Sequence, residues 1–136
     1  MSHLTTYNSK VLVNCKKTLL TKAVKDLGLT IDYNIKQIKN TWITENVDAG
    51  FLKDGKPISV GIKFVKDRNN TILEVAGDFF CTGLNESTFI DKLSQSYKKY
   101  DIIFQCEQQG WTVNREDISI DSKTNEIVIQ ASRYVA

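Results

Sequence analysis

Histidine and arginine are scarce in this 136-residue chain, and each scarcity closes a route. A lone histidine, His3, leaves no second imidazole for a zinc cage, and a Ser-His or Cys-His nucleophile pair would have to recruit this one residue near the start of the sequence, with no triad recognisable. Three cysteines, Cys15, Cys81 and Cys106, form an odd set at wide spacings. That pattern fits free thiols in a reducing compartment, not a disulfide framework or a metal site. Arginine occurs only at Arg68, Arg115 and Arg133, against a total of 18 basic residues. Arg is the usual bidentate reader of bases, so sequence-specific DNA recognition is disfavoured. No apolar run approaches the roughly 18 residues of a membrane span. The start has neither the apolar core of a signal peptide nor an Arg- and Ser-rich leader, so the chain is expected to work where it is made. Phosphate-cradling glycine patterns are absent. A net charge of +2 is too small to argue for nucleic acid by itself.

What is present is organised around the stretch from Asn85 to Gly110. Asn85 is a good N-cap, and Glu86 puts negative charge where the helix dipole favours it. Phe89, Leu93, Tyr97, Tyr100 and Phe104 follow at intervals of four, four, three and four, which stacks them on one helix face. Ile90 and Ile103 widen the stripe, and Gly110 stands where a left-handed C-terminal cap is expected. Burying the five side chains contributes roughly 8–15 kcal/mol before entropy, at about 1.5–3 kcal/mol each. A gross term of that size demands a covering surface.

The rest of the chain supplies it. Leu4 to Val13 has the composition of a strand, and Asn14 is expected to cap a helix running to Leu27, buried through Leu19, Leu20, Ala23, Val24 and Leu27. Strand formers fill 30–44, and the two glycines of 46–55 among polar residues predict a loop. Val60, Ile62 and Phe64 alternate into a turn at Asp67-Arg68-Asn69-Asn70 and return through Leu73, Val75 and Phe79, a hairpin. Trp111–Ile120 and Glu126–Tyr134 form a second hairpin, with Ile118, Ile120, Ile127, Ile129 and Ala131 as its core contacts. The order β-α-β-β-β-α-β-β over residues 1–136 predicts one two-layer α+β domain, with both helices on one face of an antiparallel sheet.

Catalysis finds little support. Glu116 and Asp117 are neighbours in a strand and point to opposite faces, so they are no acid–base pair. Asp78 before Phe79, and Cys81 four residues short of Asn85, are the other titratable candidates, and both are more simply structural. No catalytic, cofactor-binding or metal-binding residue is assigned, and no cofactor is expected. For binding, Ile102 and Cys106 lie one turn apart, turned away from the buried stripe of the long helix, beside Gln95, Lys98 and Lys99. The expected reader of that spot is a protein partner, touching Ile102, Cys106, Lys98 and Lys99. The alternative is a single-stranded nucleic acid, RNA above all. It would stack on Tyr33, Trp42, Phe80, Trp111 or Tyr134 with Lys36, Lys39 and Lys63 nearby, were those aromatics on an open sheet face.

Several segments taken together carry a resemblance. Met1-Ser2-His3-Leu4-Thr5 opens the chain, Asp26-Leu27-Gly28 ends the first helix, and Gln95-Ser96-Tyr97 and Gln109-Gly110-Trp111 follow. Ile127-Val128-Ile129-Gln130-Ala131-Ser132-Arg133-Tyr134 closes it. In these the chain resembles the hypothetical chloroplast reading frame thirty-five family, small proteins of unknown function in algal plastid genomes with cyanobacterial, other bacterial and phage relatives. The resemblance brings no activity or site residues. It implies a place, the plastid stroma or alternatively a bacterial cytoplasm.

Overall fold

The computed structural model describes residues 5–39, 44–79, 83, 85–113, 118–120, 127–129 and 132–133, with side chains for 12–39, 44–79, 83, 85–113 and 118. In chain order the elements are β1 (Thr5–Val13), α1 (Lys17–Asp26), β2 (Thr30–Asp32), β3 (Gln37–Lys39), β4 (Thr44–Asn46), β5 (Ala49–Lys53), β6 (Lys56–Asp67) and β7 (Asn70–Gly77). Then come α2 (Glu86–Gln108), β8 (Trp111–Thr112), β9 (Ile118–Ile120), β10 (Ile127–Ile129) and β11 (Ser132–Arg133). This is the two-helix α+β architecture that the sequence predicts. Between the helices the strands are more numerous and shorter than their propensities suggest.

The main sheet has the antiparallel order β1-β7-β6-β5-β2. Its register places Ala49 opposite Ile62 and Ile62 opposite Val75, while Phe64 faces Leu73. Alternation along these strands therefore gathers Ala49, Phe51, Val60, Ile62, Leu73 and Val75 on one face, and both helices pack there. Leu19, Leu20, Ala23 and Val24 of α1 join Phe89, Ile90, Leu93 and Tyr97 of α2 in the same core. Phe89 is its hub, with the rings of Phe79 and Phe51 centred 5.2 and 5.7 Å away at tilted angles.

The long helix begins and ends as its punctuation predicts. Asn85 Oδ1 accepts a 2.7 Å hydrogen bond from the Thr88 amide, and Gly110 takes φ +83° just past the C-cap. The helix is unbroken over 23 residues, reaching β1 at one side and β8 and β10 at the other. Asn14, in contrast, does not cap α1. It sits at φ +55°, where Asn is tolerated, and its side chain ties the chain to the β6–β7 turn. Asn14 Oδ1 accepts from the Thr71 amide at 2.8 Å and Nδ2 donates to Asn70 Oδ1 at 3.1 Å. Lys16 is the N-cap residue, without a side-chain cap bond.

The predicted loop at 46–55 is also corrected, because it contains β5, whose first three residues are fully buried. Its burial depends on small residues. Gly50, Gly61 and Ala76 lie opposite one another across β5, β6 and β7, forming a shallow trough on the sheet face away from the helices. The β3–β4 hairpin lies in that trough through Ile38 and Val47, which pack on Ala76. A Cβ at Gly50 would collide with Ile35, and one at Gly61 would lie 3.0 Å from Val47 Cγ1. Lys63–Glu45 and Ser59 Oγ to the Lys39 carbonyl (2.5 Å) fasten the arm at its rim.

At the far end, β8 pairs with β11 and β9 with β10, so the closing segments nest as the expected hairpin. Ile118 is half-buried, and the side chains of Ile120, Ile127, Ile129 and Ala131 lie outside those described.

Candidate functional site

The second half of α2 is where the predicted contact residues fall. A straight helix of 23 residues spans about 35 Å, whereas the ten residues of α1 cover about 15 Å, at 1.5 Å per residue. The buried positions of α2 accordingly end at Tyr97. Beyond it Tyr100, Ile103 and Phe104 are half-buried, while Ile102 is 38% exposed. Lys98 is exposed one turn before Ile102, and Cys106, one turn after it, is half-buried with a free thiol. Lys98, Ile102 and Cys106 thus form one stripe at i, i+4 and i+8.

Lys99 is not part of that open stripe. Its Nζ reaches Asp26 Oδ2 at 2.6 Å, across the junction with α1. The same carboxylate accepts from Ser96 Oγ at 2.8 Å and, through Oδ1, from the Tyr100 hydroxyl at 2.8 Å. Desolvation pushes the Asp26 carboxyl upward, but the bonds from Lys99, Tyr100 and Ser96 and the Lys99 charge outweigh it. Its pKa lies below the usual carboxylate range, and the group is an anchor held as an anion. Asp26 ends α1, where a carboxylate opposes the helix dipole. Its three donors lie 70–74 residues further along the chain, so nothing local in the sequence points to it.

One turn earlier on α2, the Tyr97 hydroxyl accepts from the Lys16 amide at 2.8 Å and hydrogen-bonds Cys15. Burial pushes the Cys15 thiol up to about 11 and the Tyr97 phenol up to about 12. A thiol so placed stays protonated at neutral pH and is a poor nucleophile. Among the described residues no group of three His, Cys, Asp or Glu side chains is placed to hold a metal ion.

The aromatics of the nucleic-acid alternative are differently placed. Tyr33 is half-buried, with the Lys17 ammonium 4.9 Å from its ring centre, and it packs against the helix-side core. Trp111 is half-buried, and Trp42, Phe80 and Tyr134 lie outside the described residues, as do His3, Cys81, Glu116 and Asp117. Of the lysines, Lys63 pairs with Glu45 and Lys36 donates to the Asp48 carbonyl at 3.1 Å; Lys39 is exposed. The described sheet face away from the helices presents Ser59, Lys63, Val65, Ile72 and Glu74 around its small-residue trough, and no aromatic side chain of β6 or β7. Asp78 is half-buried, its amide bonded to the Ser59 carbonyl at 2.8 Å. No described helix is long and apolar enough to cross a membrane.

Comparison with family models, with curated proteins and with solved structures gives no match.

Proposed function

We propose that the chain is a non-catalytic protein-binding module whose contact surface is the outward stripe of the second half of α2. The observation that carries this reading is Ile102, an aliphatic side chain 38% exposed on a continuous helix, between exposed Lys98 and half-buried Cys106. An apolar centre with a polar rim is the anatomy of a small contact patch. Lys99, committed to Asp26, serves it by fixing the helix that presents the stripe. The single-stranded nucleic-acid alternative lacks a base-stacking side chain on the described sheet face of β6 and β7, which favours the protein reading. A plastid or bacterial location rests on the family resemblance alone.

The test is a photo-crosslinking side chain placed at position 102, with exposed position 53 at the end of β5 as its control, in host extract. The reading expects a discrete protein adduct from position 102, absent from position 53 and reduced by Lys98→Glu. No adduct, or the same adducts from both positions, would remove it.

A further inference from the structure

Helix α1 carries a feature that the α2 stripe does not use. Lys16, Lys17, Lys22 and Lys25 are all exposed, and none forms an ion pair among the described residues. At 100° per residue, Lys17, Lys25 and Lys22 fall within an arc of about 140°, opposite the buried Leu19, Leu20, Ala23 and Val24. Thr18 and Thr21 fill the space between them, and no carboxylate shares the arc. Lys17 to Lys25 spans about 12 Å along the axis at 1.5 Å per residue. Of these charges only Lys25, in the last turn, suits the helix dipole. Lys16 and Lys17 stand at its N-terminal end, where the dipole disfavours cations, and its first turn has no acidic residue. At the other end the opposite misfit, Asp26, is answered by Lys99, Tyr100 and Ser96. At the lysine end the ammoniums of Lys16 and Lys17 lie only over the rings of Phe104 and Tyr33, each 4.9 Å from the centre.

We infer that the outward face of α1 binds the phosphodiester backbone of a nucleic acid, without reading its bases. Charge complementarity names a polyanion, and the composition of the face selects among polyanions. A protein partner needs apolar or aromatic anchors, and interface cores are depleted in Lys; this arc offers only Lys and Thr. Lysines act as point charges on phosphates, whereas Arg and amide side chains, which read base edges, are absent from the arc. The contact is therefore electrostatic and steeply salt-dependent.

The test is fluorescence anisotropy of a labelled 20-nucleotide oligouridylate titrated with the full chain between 50 and 200 mM salt. The three lysine–phosphate contacts of the arc give a slope near 0.7 per contact on a single strand, hence about a 20-fold loss of affinity over that range. K17Q/K22Q/K25Q removes all three, and its affinity is expected to fall at 50 mM salt and to change little over the same range. K53Q/K56Q/K66Q removes equal charge away from α1 and is expected to behave as wild type. Circular dichroism of each variant establishes that it folds. Equal behaviour of the two triple variants, no binding by wild type at 50 mM salt, or tighter binding of a 20-residue polyglutamate than of the RNA would each overturn the inference.

Discussion

Replacing Asp26 by alanine tests how firmly α2 is held against α1. The carboxylate accepts three hydrogen bonds, from Ser96, Lys99 and Tyr100, at 2.6–2.8 Å. Hydrogen bonds to a charged group each contribute about 1.5–3 kcal/mol when shielded. Here the Asp26 side chain is 28% accessible and that of Lys99 20%, so the ion pair itself contributes only about 0–1 kcal/mol after solvent screening. Ser96 belongs to a residue only 8% exposed, and its stranded hydroxyl adds about 1–3 kcal/mol to the cost of the change. Removing an anion from the C-terminal end of α1 returns about 0.3–1 kcal/mol. The balance is a destabilisation of about 2 kcal/mol, or roughly 8 °C in Tm for a chain of this length. Urea denaturation followed by circular dichroism at pH 7 measures it. The pH dependence gives a second arm. The folded-state pKa is depressed, so the stabilisation is present above the unfolded value of 3.8 and is lost as pH falls through the folded pKa. Asp26→Asn, which cannot titrate, is therefore expected to lie closest to wild type at the acid end and furthest from it at pH 7. A loss below about 0.5 kcal/mol for Asp26→Ala, the range of an ordinary surface substitution, with parallel pH profiles, would refute the clamp.

Three further outcomes follow from the packing. Gly50→Ala pushes a methyl group into Ile35 and is expected to cost about 1–3 kcal/mol; Ile35→Ala in the same chain recovers part of it, read as a non-zero coupling in a double-mutant cycle. Cys15 and Tyr97 hold their protons well above the unfolded values of 9.0 and 10.0, so the stability they contribute is complete below pH 9 and disappears as pH rises through about 11 and 12. The double variant Cys15→Ser/Tyr97→Phe is expected to show a shallower alkaline melting profile than wild type. Asn14→Ala removes the two side-chain ties to the β6–β7 turn, leaving the backbone bond to Thr71, and places a Cβ-bearing non-Asn residue at φ +55°; it is expected to cost about 1–2 kcal/mol by chemical denaturation.

The helices were legible because their signals are local. Asn85, Gly28 and Gly110 mark ends within one turn of the residues they cap, and the 3.6-residue period of Phe89, Leu93 and Tyr97 reports the face they bury. Asn14 misled because the chemistry that makes Asn a cap also suits it to a left-handed bend. The sheet was less legible. β5 is covered on one face by helices and on the other by the β3–β4 arm, so Ala49, Gly50 and Phe51 show no alternation, and glycine there marks close packing where it usually marks a loop. The contact stripe was half legible. Helical spacing puts Lys98, Ile102 and Cys106 on one line, but only a residue 73 positions away shows that Lys99 is bound elsewhere.

A continuous α2, buried through Tyr97 and held beyond it by Lys99, Tyr100 and Phe104, is the premise for every surface assigned to it. Residue-by-residue amide hydrogen exchange along 86–108 measures this directly. The expected result is one protected block running from the Ile90 amide past Asp101 to Gln105, with the amides of 98–105 no more than about tenfold faster than those of 90–97. Protection that collapses after Tyr97, leaving 98–105 exchanging at unfolded rates, would contradict it, and the platform that carries Ile102 would not exist.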